Sequence, residues 1–239
     1  MKRTIMRIFS FAMAAVIAAG AFLCTGCGKK NEVTGVSMAY QEYIGSNIFE
    51  IPRFVGEGKD ADMLNSQLNQ MLAPYISGWP SVRNDETYWY EVRSYPLCGE
   101  RYRQVAVTAI EYPNYGTDGD VFSVCYDADK NRLLTLDDAL SIAGVSRETV
   151  EQRVDMLMID YLCEGDVVVN ISFPAFVFAG NELCVISRAF IENDLADEHD
   201  ELYVYNTAQD TMTDYSGNEL LPTGLCDRLD PPLHYDRGE

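Results

Sequence analysis

The chain has 239 residues, with 37 Asp and Glu against 18 Lys and Arg and only two histidines, giving a formal charge of −19. So acidic a protein is repelled by nucleic acid and by anionic lipid headgroups, and its length suffices for one sizeable core or two small ones. Membrane contact therefore has to come from an anchor rather than from surface charge.

The start of the chain supplies such an anchor. Lys2, Arg3 and Arg7 form a positive n-region, and residues 8–23 are largely apolar, with small residues at Ala12, Ala14, Ala15, Ala18, Ala19 and Gly20. That run is short for a transmembrane helix, which needs nearer ~20 apolar residues. It ends in Cys24, Thr25, Gly26 and Cys27. This CTGC segment resembles the lipobox of bacterial lipoproteins, although Cys24 stands where the family usually has Leu. The resemblance implies that the Cys27 thiol takes a diacylglyceryl group, that further acyl chains such as palmitate follow, and that cleavage falls before Cys27. Residues 1–26 are accordingly expected to be a signal peptide, and residues 27–39 the lipidated cysteine and a polar tether. Without residues 1–26, 15 Lys and Arg face 37 Asp and Glu, a formal charge of −22 over 213 residues.

Five cysteines follow Cys27: Cys98, Cys125, Cys163, Cys184 and Cys226. An odd number leaves at least one unpaired within a monomer, and Cys125, Cys163 and Cys184 sit in apolar contexts where a thiol serves as a small core residue. No pairing among the five follows from spacing. No CxxC occurs after Cys27, which argues against a thioredoxin-like redox site.

The folded part opens with an extended segment at residues 49–56, interrupted by Pro52. Leu64, Leu68, Met71, Leu72 and Tyr75 then share one face of a helix over residues 60–76, expected to stop near Gly78 and Pro80. An aromatic strand at residues 87–92 leads through a turn at residues 95–100 into a strand from Tyr102 to about residue 110. Val105, Val107 and Ala109 alternate there with Gln104, Ala106 and Thr108, and Phe122, Val124 and Tyr126 form the next strand, an antiparallel neighbour. Thr135 with Asp138 reads as an approximate capping box for a short turn. Ser146 caps the main helix, Glu148 lies in its first turn, and Val150, Val154, Leu157, Met158 and Tyr161 share its apolar face until Gly165 ends it. Strands at residues 167–173 and 176–187, the latter turning at Gly180 and Asn181, precede a last strand at residues 201–206. These elements give an α+β fold of antiparallel sheets, each covered by an amphipathic helix. The expected portions are residues 40–100 and 101–221, with a flexible tail at 222–239.

The order IPRFVG, a helix containing MLNSQLNQML, aromatic strands, then YDADKNRLLTLDDAL and a helix resembles a family of extracytoplasmic bacterial domains of unknown function. Such domains occur in the extracellular part of the lysozyme-sensing anti-sigma factor and beside the catalytic domain of some peptidoglycan deacetylases. The likeness covers about residues 49–187. Leu134, Thr135, Leu136 and Asp137 stand where the family follows its hairpin with the same residue types. Two departures are Lys130 and Asn131 in the family's glycine turn, and YGTDGD where the family has Gly-Gly-Ala-His. The resemblance implies a sensing or wall-associated module without a sigma-binding segment or a deacetylase domain. Its implied partners are a basic, lysozyme-like protein or peptidoglycan.

Two acidic stretches are candidate cation sites. Asp127, Asp129, Asn131, Thr135 and Asp138 imitate the 1, 3, 5, 9, 12 spacing of a calcium loop, but Arg132 occupies the glycine position and Asp138 replaces the bidentate Glu. Hairpin, turn and helix cap account for every one of these residues without a metal. Glu192, Asn193, Asp194, Asp197, Glu198, His199, Asp200 and Glu201 are a denser run that reads first as a solvated loop.

Enzymatic signals are weak. His199 and His234 are the two histidines, and GxSxG, HExxH and phosphate-binding glycine loops are missing from the sequence. The residues therefore point to a non-enzymatic envelope lipoprotein with no cofactor, touching the membrane through Cys27 alone. Alternatives are an envelope hydrolase using paired carboxylates and a purely structural interaction domain.

Overall fold

The computed structural model of the chain describes residues 32–85, 89–112, 118–193 and 198–214. They form an α+β fold built on two sheets. The strands are β1 (Glu32–Ile44), β2 (Asn47–Glu57), β3 (Trp89–Cys98), β4 (Tyr102–Tyr112), β5 (Asp118–Asp127), β6 (Arg132–Leu134), β7 (Asp166–Ala179), β8 (Glu182–Asn193), β9 (Glu198–Asn206) and β10 (Thr211–Asp214). The helices are α1 (Lys59–Val82), α2 (Leu136–Ala143) and α3 (Arg147–Met158). The first sheet runs β1-β2-β3-β4-β5-β6 and the second β10-β9-β8-β7.

All pairings are antiparallel except β2 with β3, which pair in parallel at Ile48 with Glu91 and Phe49 with Val92. The first sheet is thus mixed, not purely antiparallel. A parallel pair needs a crossover, and α1 supplies it. The boundary expected between residues 100 and 101 falls in the turn joining β3 to β4, inside this one sheet. The chain instead changes sheet between β6 and β7, where α2 and α3 lie.

Strand alternation sorts the core. Leu64, Leu68, Leu72, Tyr75 and Trp79 of α1 form one buried cluster with Phe49, Phe54, Tyr90, Val92, Val105, Val107, Phe122, Val124 and Tyr126. Phe49 stacks on Trp79 with ring centroids 5.0 Å apart. The intervening residues Ala106 and Val121, with Tyr95, look the other way and meet Ala175, Val177, Cys184, Ile186 and Val204 of the second sheet. Leu183, Val185, Ala189, Ile191, Tyr203 and Tyr205 then cluster with Ala139 and Leu140 of α2 and Val150, Val154 and Met158 of α3. Each fully buried leucine among these contributes about 2 kcal/mol of transfer free energy.

Several elements depart from the sequence reading. Residues 32–39 are not a tether but the first half of β1, antiparallel to β2 from Glu32↔Glu57 onward. Val33, only 2% exposed, fixes that strand to the core. Pro52 does not interrupt β2, because it lies beside the register shift between Met38 and Tyr40, where a missing N–H is tolerated. Helix α1 passes through Pro74, Gly78 and Pro80 and ends at Val82. Each proline costs one backbone hydrogen bond, which the burial of Tyr75 and Trp79 on the same stretch offsets. Strand β3 extends to Cys98, so Tyr95, Pro96 and Leu97 are strand rather than turn. The two strands expected at residues 167–179 are one, β7, with register shifts between Val168 and Asn170 and between Ser172 and Ala175, the second accommodating Pro174. Helix α3 ends at Met158, so Tyr161 lies beyond it and its hydroxyl donates to the Met212 carbonyl at 2.6 Å. The short turn after Thr135 is the helix α2, closed by Gly144 at φ 73.

Candidate functional site

The hairpin between β5 and β6 carries the calcium-like spacing, and its carboxylates are committed internally. Asp127 is fully buried. Its Oδ1 accepts from the Asp129 and Lys130 N–H groups, both at 3.1 Å, and its Oδ2 accepts from Arg101 Nη2 at 2.7 Å and Nε at 3.2 Å. Burial opposes the charged form, but the Arg101 guanidinium and these N–H donors together hold the Asp127 carboxyl below the usual carboxylate range. Arg101 lies 4.9 Å from the centroid of the Tyr102 ring, which stacks on Phe178 at 4.0 Å. At the other end of the run, Asp138 Oδ2 accepts from the Thr135 N–H and hydroxyl at 3.1 and 2.8 Å, while Thr135 Oγ1 accepts from the Asp138 N–H at 3.2 Å. Asp138 Oδ1 pairs with Arg132 at 2.9 Å. Positions 1 and 12 of the imitated loop are thus a hairpin anchor and a helix cap.

The second acidic run spans the connection of β8 to β9. Residues 194–197, together with the side chains of Asn193, Glu198 and His199, lie outside the described residues, as do Cys27, Cys226 and His234. The backbone register sets Glu192 opposite Glu198, Ile191 opposite His199 and Phe190 opposite Asp200. Among the described residues no group of three His, Cys, Asp or Glu side chains is placed to hold a metal ion, and no helix is long and apolar enough to cross a membrane.

Two carboxylates that the sequence reading passed over are buried. Glu50 on β2 and Glu91 on β3 are 3% and 1% exposed. Phe49 and Val92 belong to the α1 cluster, so their neighbours Glu50 and Glu91 lie on the opposite face of the sheet. Glu50 accepts from the Tyr43 hydroxyl and, at 2.8 Å, from the Ser94 N–H. Glu91 pairs with Arg93 and accepts from Trp89 Nε1 at 3.3 Å. Burial raises the Glu91 pKa, only partly offset by Arg93 and Trp89. Nothing in the EIPR and YEVR patterns distinguishes these acids from solvent-facing strand residues.

Two open grooves are present elsewhere. One of about 600 Å³ lies between α1 and the β1–β2 ribbon, lined by Arg53, Asp62, Asn65, Ser66, Asn69 and Gln70 among others. Asn65 is already committed there, since its amide accepts from the Phe54 N–H at 2.8 Å and donates to the Phe54 carbonyl at 3.0 Å. The other, about 520 Å³, sits at the α2–α3 junction, where Asp137 and Arg147 pair at 2.8 Å.

Cys98, Cys125, Cys163 and Cys184 are all free thiols. Cys125 and Cys184 are buried, and burial pushes the Cys184 thiol up to about 12, well away from reactivity at neutral pH. Cys163 is exposed, contrary to its apolar sequence context, because the chain leaves helix α3 at Met158 and Cys163 falls in the turn that follows.

Charge is distributed unevenly. Arg83, Arg93, Arg101, Arg132, Arg147, Arg153 and Arg188 each pair with a carboxylate. Glu148, Glu151, Asp155, Asp160, Glu164 and Glu192 remain on the exposed surface. Between Val154 and Ser187 the sequence contains no Lys or Arg. The last turn of α3, the turn after it and β7 therefore carry acids without Lys or Arg, while Arg147 and Arg153 earlier on α3 are paired with Asp137 and Asp210.

The chain matches no family model, and no curated protein is found to be similar to it.

Proposed function

We propose that this chain is a non-enzymatic lipoprotein of the cell envelope, extracytoplasmic and held at the cytoplasmic membrane by lipid on Cys27. Its folded body binds or senses a basic, lysozyme-like protein, with peptidoglycan as the other wall-associated candidate. The observation that carries this reading is the charge arrangement: Arg147 and Arg153, the cations of α3, are held in ion pairs, while the acids of α3 and the following turn stay exposed. Such a surface steers cationic partners toward it. The resemblance to domains that accompany lysozyme sensing and peptidoglycan chemistry supports the same reading. We further assign the architecture as two sheets, each covered on its outer face by an amphipathic helix, α1 on the first and α3 on the second. The burial of Leu64, Leu68 and Leu72, and of Val150, Val154 and Met158, supports this.

A hydrolase using paired carboxylates is the second reading, and Glu50 with Glu91 is the observation that favours it. Both acids already hold hydrogen-bond partners from their own sheet, as a structural pair does. Capture of purified lysozyme by the folded body, measured across salt concentrations, tests the binding reading directly.

A further inference from the structure

Strand β7 is the edge of the second sheet, and its two halves are treated differently. In the C-terminal half, side chains of the first sheet close the edge. Ser123 Oγ donates to the Phe176 carbonyl at 2.7 Å and accepts from the Phe176 N–H at 3.0 Å, and Gln104 does the same for Phe178 at 2.6 and 2.9 Å. In the N-terminal half, residues 167–172, no strand among the described residues lies on that side. Val167 and Val169 are 59% and 51% exposed, Val169 at a register shift between Val168 and Asn170, whereas Val168 and Ile171 pack against the α3 cluster and hold the strand in place. A held edge with exposed β-branched residues is a template for one more strand.

We propose that residues 167–172 of β7 accept an extended, basic segment of a partner protein as an added strand. This rests on the basic-partner reading above and names the place and mode of binding. Charge decides the occupant. Glu164 lies just before the strand, the exposed Glu192 stands opposite Val167 across the β7–β8 pair, and Asp155 and Asp160 lie on α3 and in the turn after it, while Arg188, opposite Ser172, is paired with Asp120. No Lys or Arg occurs from Val154 to Ser187. A second copy of β7 would bring the same acids into register with these, which disfavours self-pairing. A segment alternating Lys or Arg with apolar residues places cations beside the acids and apolar side chains beside Val167 and Val169.

The test is amide hydrogen exchange on the full-length chain in detergent at ~0.15 M salt, with and without an octapeptide alternating Lys and Val. The peptide is expected to slow exchange within residues 167–172 by about tenfold or more, and to leave Phe176 and Phe178, already bonded, unchanged. The same peptide N-methylated at every amide keeps its charge but cannot pair, and is expected to give no protection. Val169→Lys, at an exposed position, is expected to weaken peptide binding about tenfold without lowering the unfolding midpoint. Equal binding of the methylated peptide, protection elsewhere, no binding, or residues 167–172 already protected in the free chain would each overturn the proposal. Lysozyme capture in the same buffer separates the two claims. If it persists while the peptide fails, only the edge assignment falls; if both fail, the basic-partner reading falls too.

Discussion

The side-chain amide of Gln104 acts as a one-residue strand beside Phe178, donating to its carbonyl at 2.6 Å and accepting from its N–H at 2.9 Å. Ser123 repeats the arrangement at Phe176. Both residues lie on the face of the first sheet that looks toward the second, so the sheets are joined by hydrogen bonds as well as by the apolar contacts of Ala106 and Val121. Gln104→Leu would leave a buried N–H and a buried carbonyl unsatisfied. It is expected to cost about 2–4 kcal/mol in denaturant unfolding. A loss below ~0.5 kcal/mol would mean that water or another group replaces the amide.

The Asp127–Arg101 pair makes a pH-dependent contribution. The Asp127 carboxyl titrates below its ordinary value in the folded chain, so its stabilisation is present above the unfolded pKa, ~3.9, and is lost as pH falls through the folded value. Asp127→Asn is expected to be about 2–3 kcal/mol less stable than the parent at pH 7, since Arg101 loses its charge partner. That gap should close progressively below about pH 4. A gap that stays constant down to pH 2 would show that packing, and not the ion pair, sets the cost.

Val154 is fully buried between α3 and the second sheet. Val154→Asp places a carboxylate there without a partner and is expected to destabilise by about 3 kcal/mol or more. Thermal unfolding reads this directly, and an unchanged midpoint would contradict the placement of α3.

Elements that keep one face apolar were legible in the sequence: β4 and β5 through Val105, Val107, Phe122 and Val124, and α3 through Val150, Val154 and Met158. Legibility failed where a polar residue has an inward task. Gln104, Ser123 and Asn65 read as surface residues because alternation records hydrophobicity and not the unpaired backbone a side chain must satisfy. Glu50 and Glu91 were missed for the same reason. Strand β1 was hidden because most of its side chains are exposed or half-exposed, leaving Val33 as its one buried residue. The prolines of α1 and β7 suggested breaks that packing overrides. At the calcium-like run, the hairpin, turn and cap read from the sequence are what the geometry shows, with Asp127 anchoring the hairpin and Thr135 and Asp138 forming the capping box. The exposed half of β7 left no mark, because VVVNISF reads as an ordinary strand whether or not a neighbour lies beside it.

The proposed anchor has its own test. Cys27→Ala removes the thiol that would carry the lipid, and the folded residues should then be released from membranes on fractionation. Unchanged membrane retention with normal processing would place the anchor elsewhere.

The central claim, that the acidic body binds a basic partner specifically, is tested most directly by titrating residues 28–239 with purified lysozyme at several salt concentrations. The account predicts saturable binding that weakens as salt rises yet persists at ~0.15 M, where the Debye length is about 8 Å and short-range complementarity has to carry the complex. Binding confined to very low salt and equal for an unrelated basic protein of similar size would contradict it.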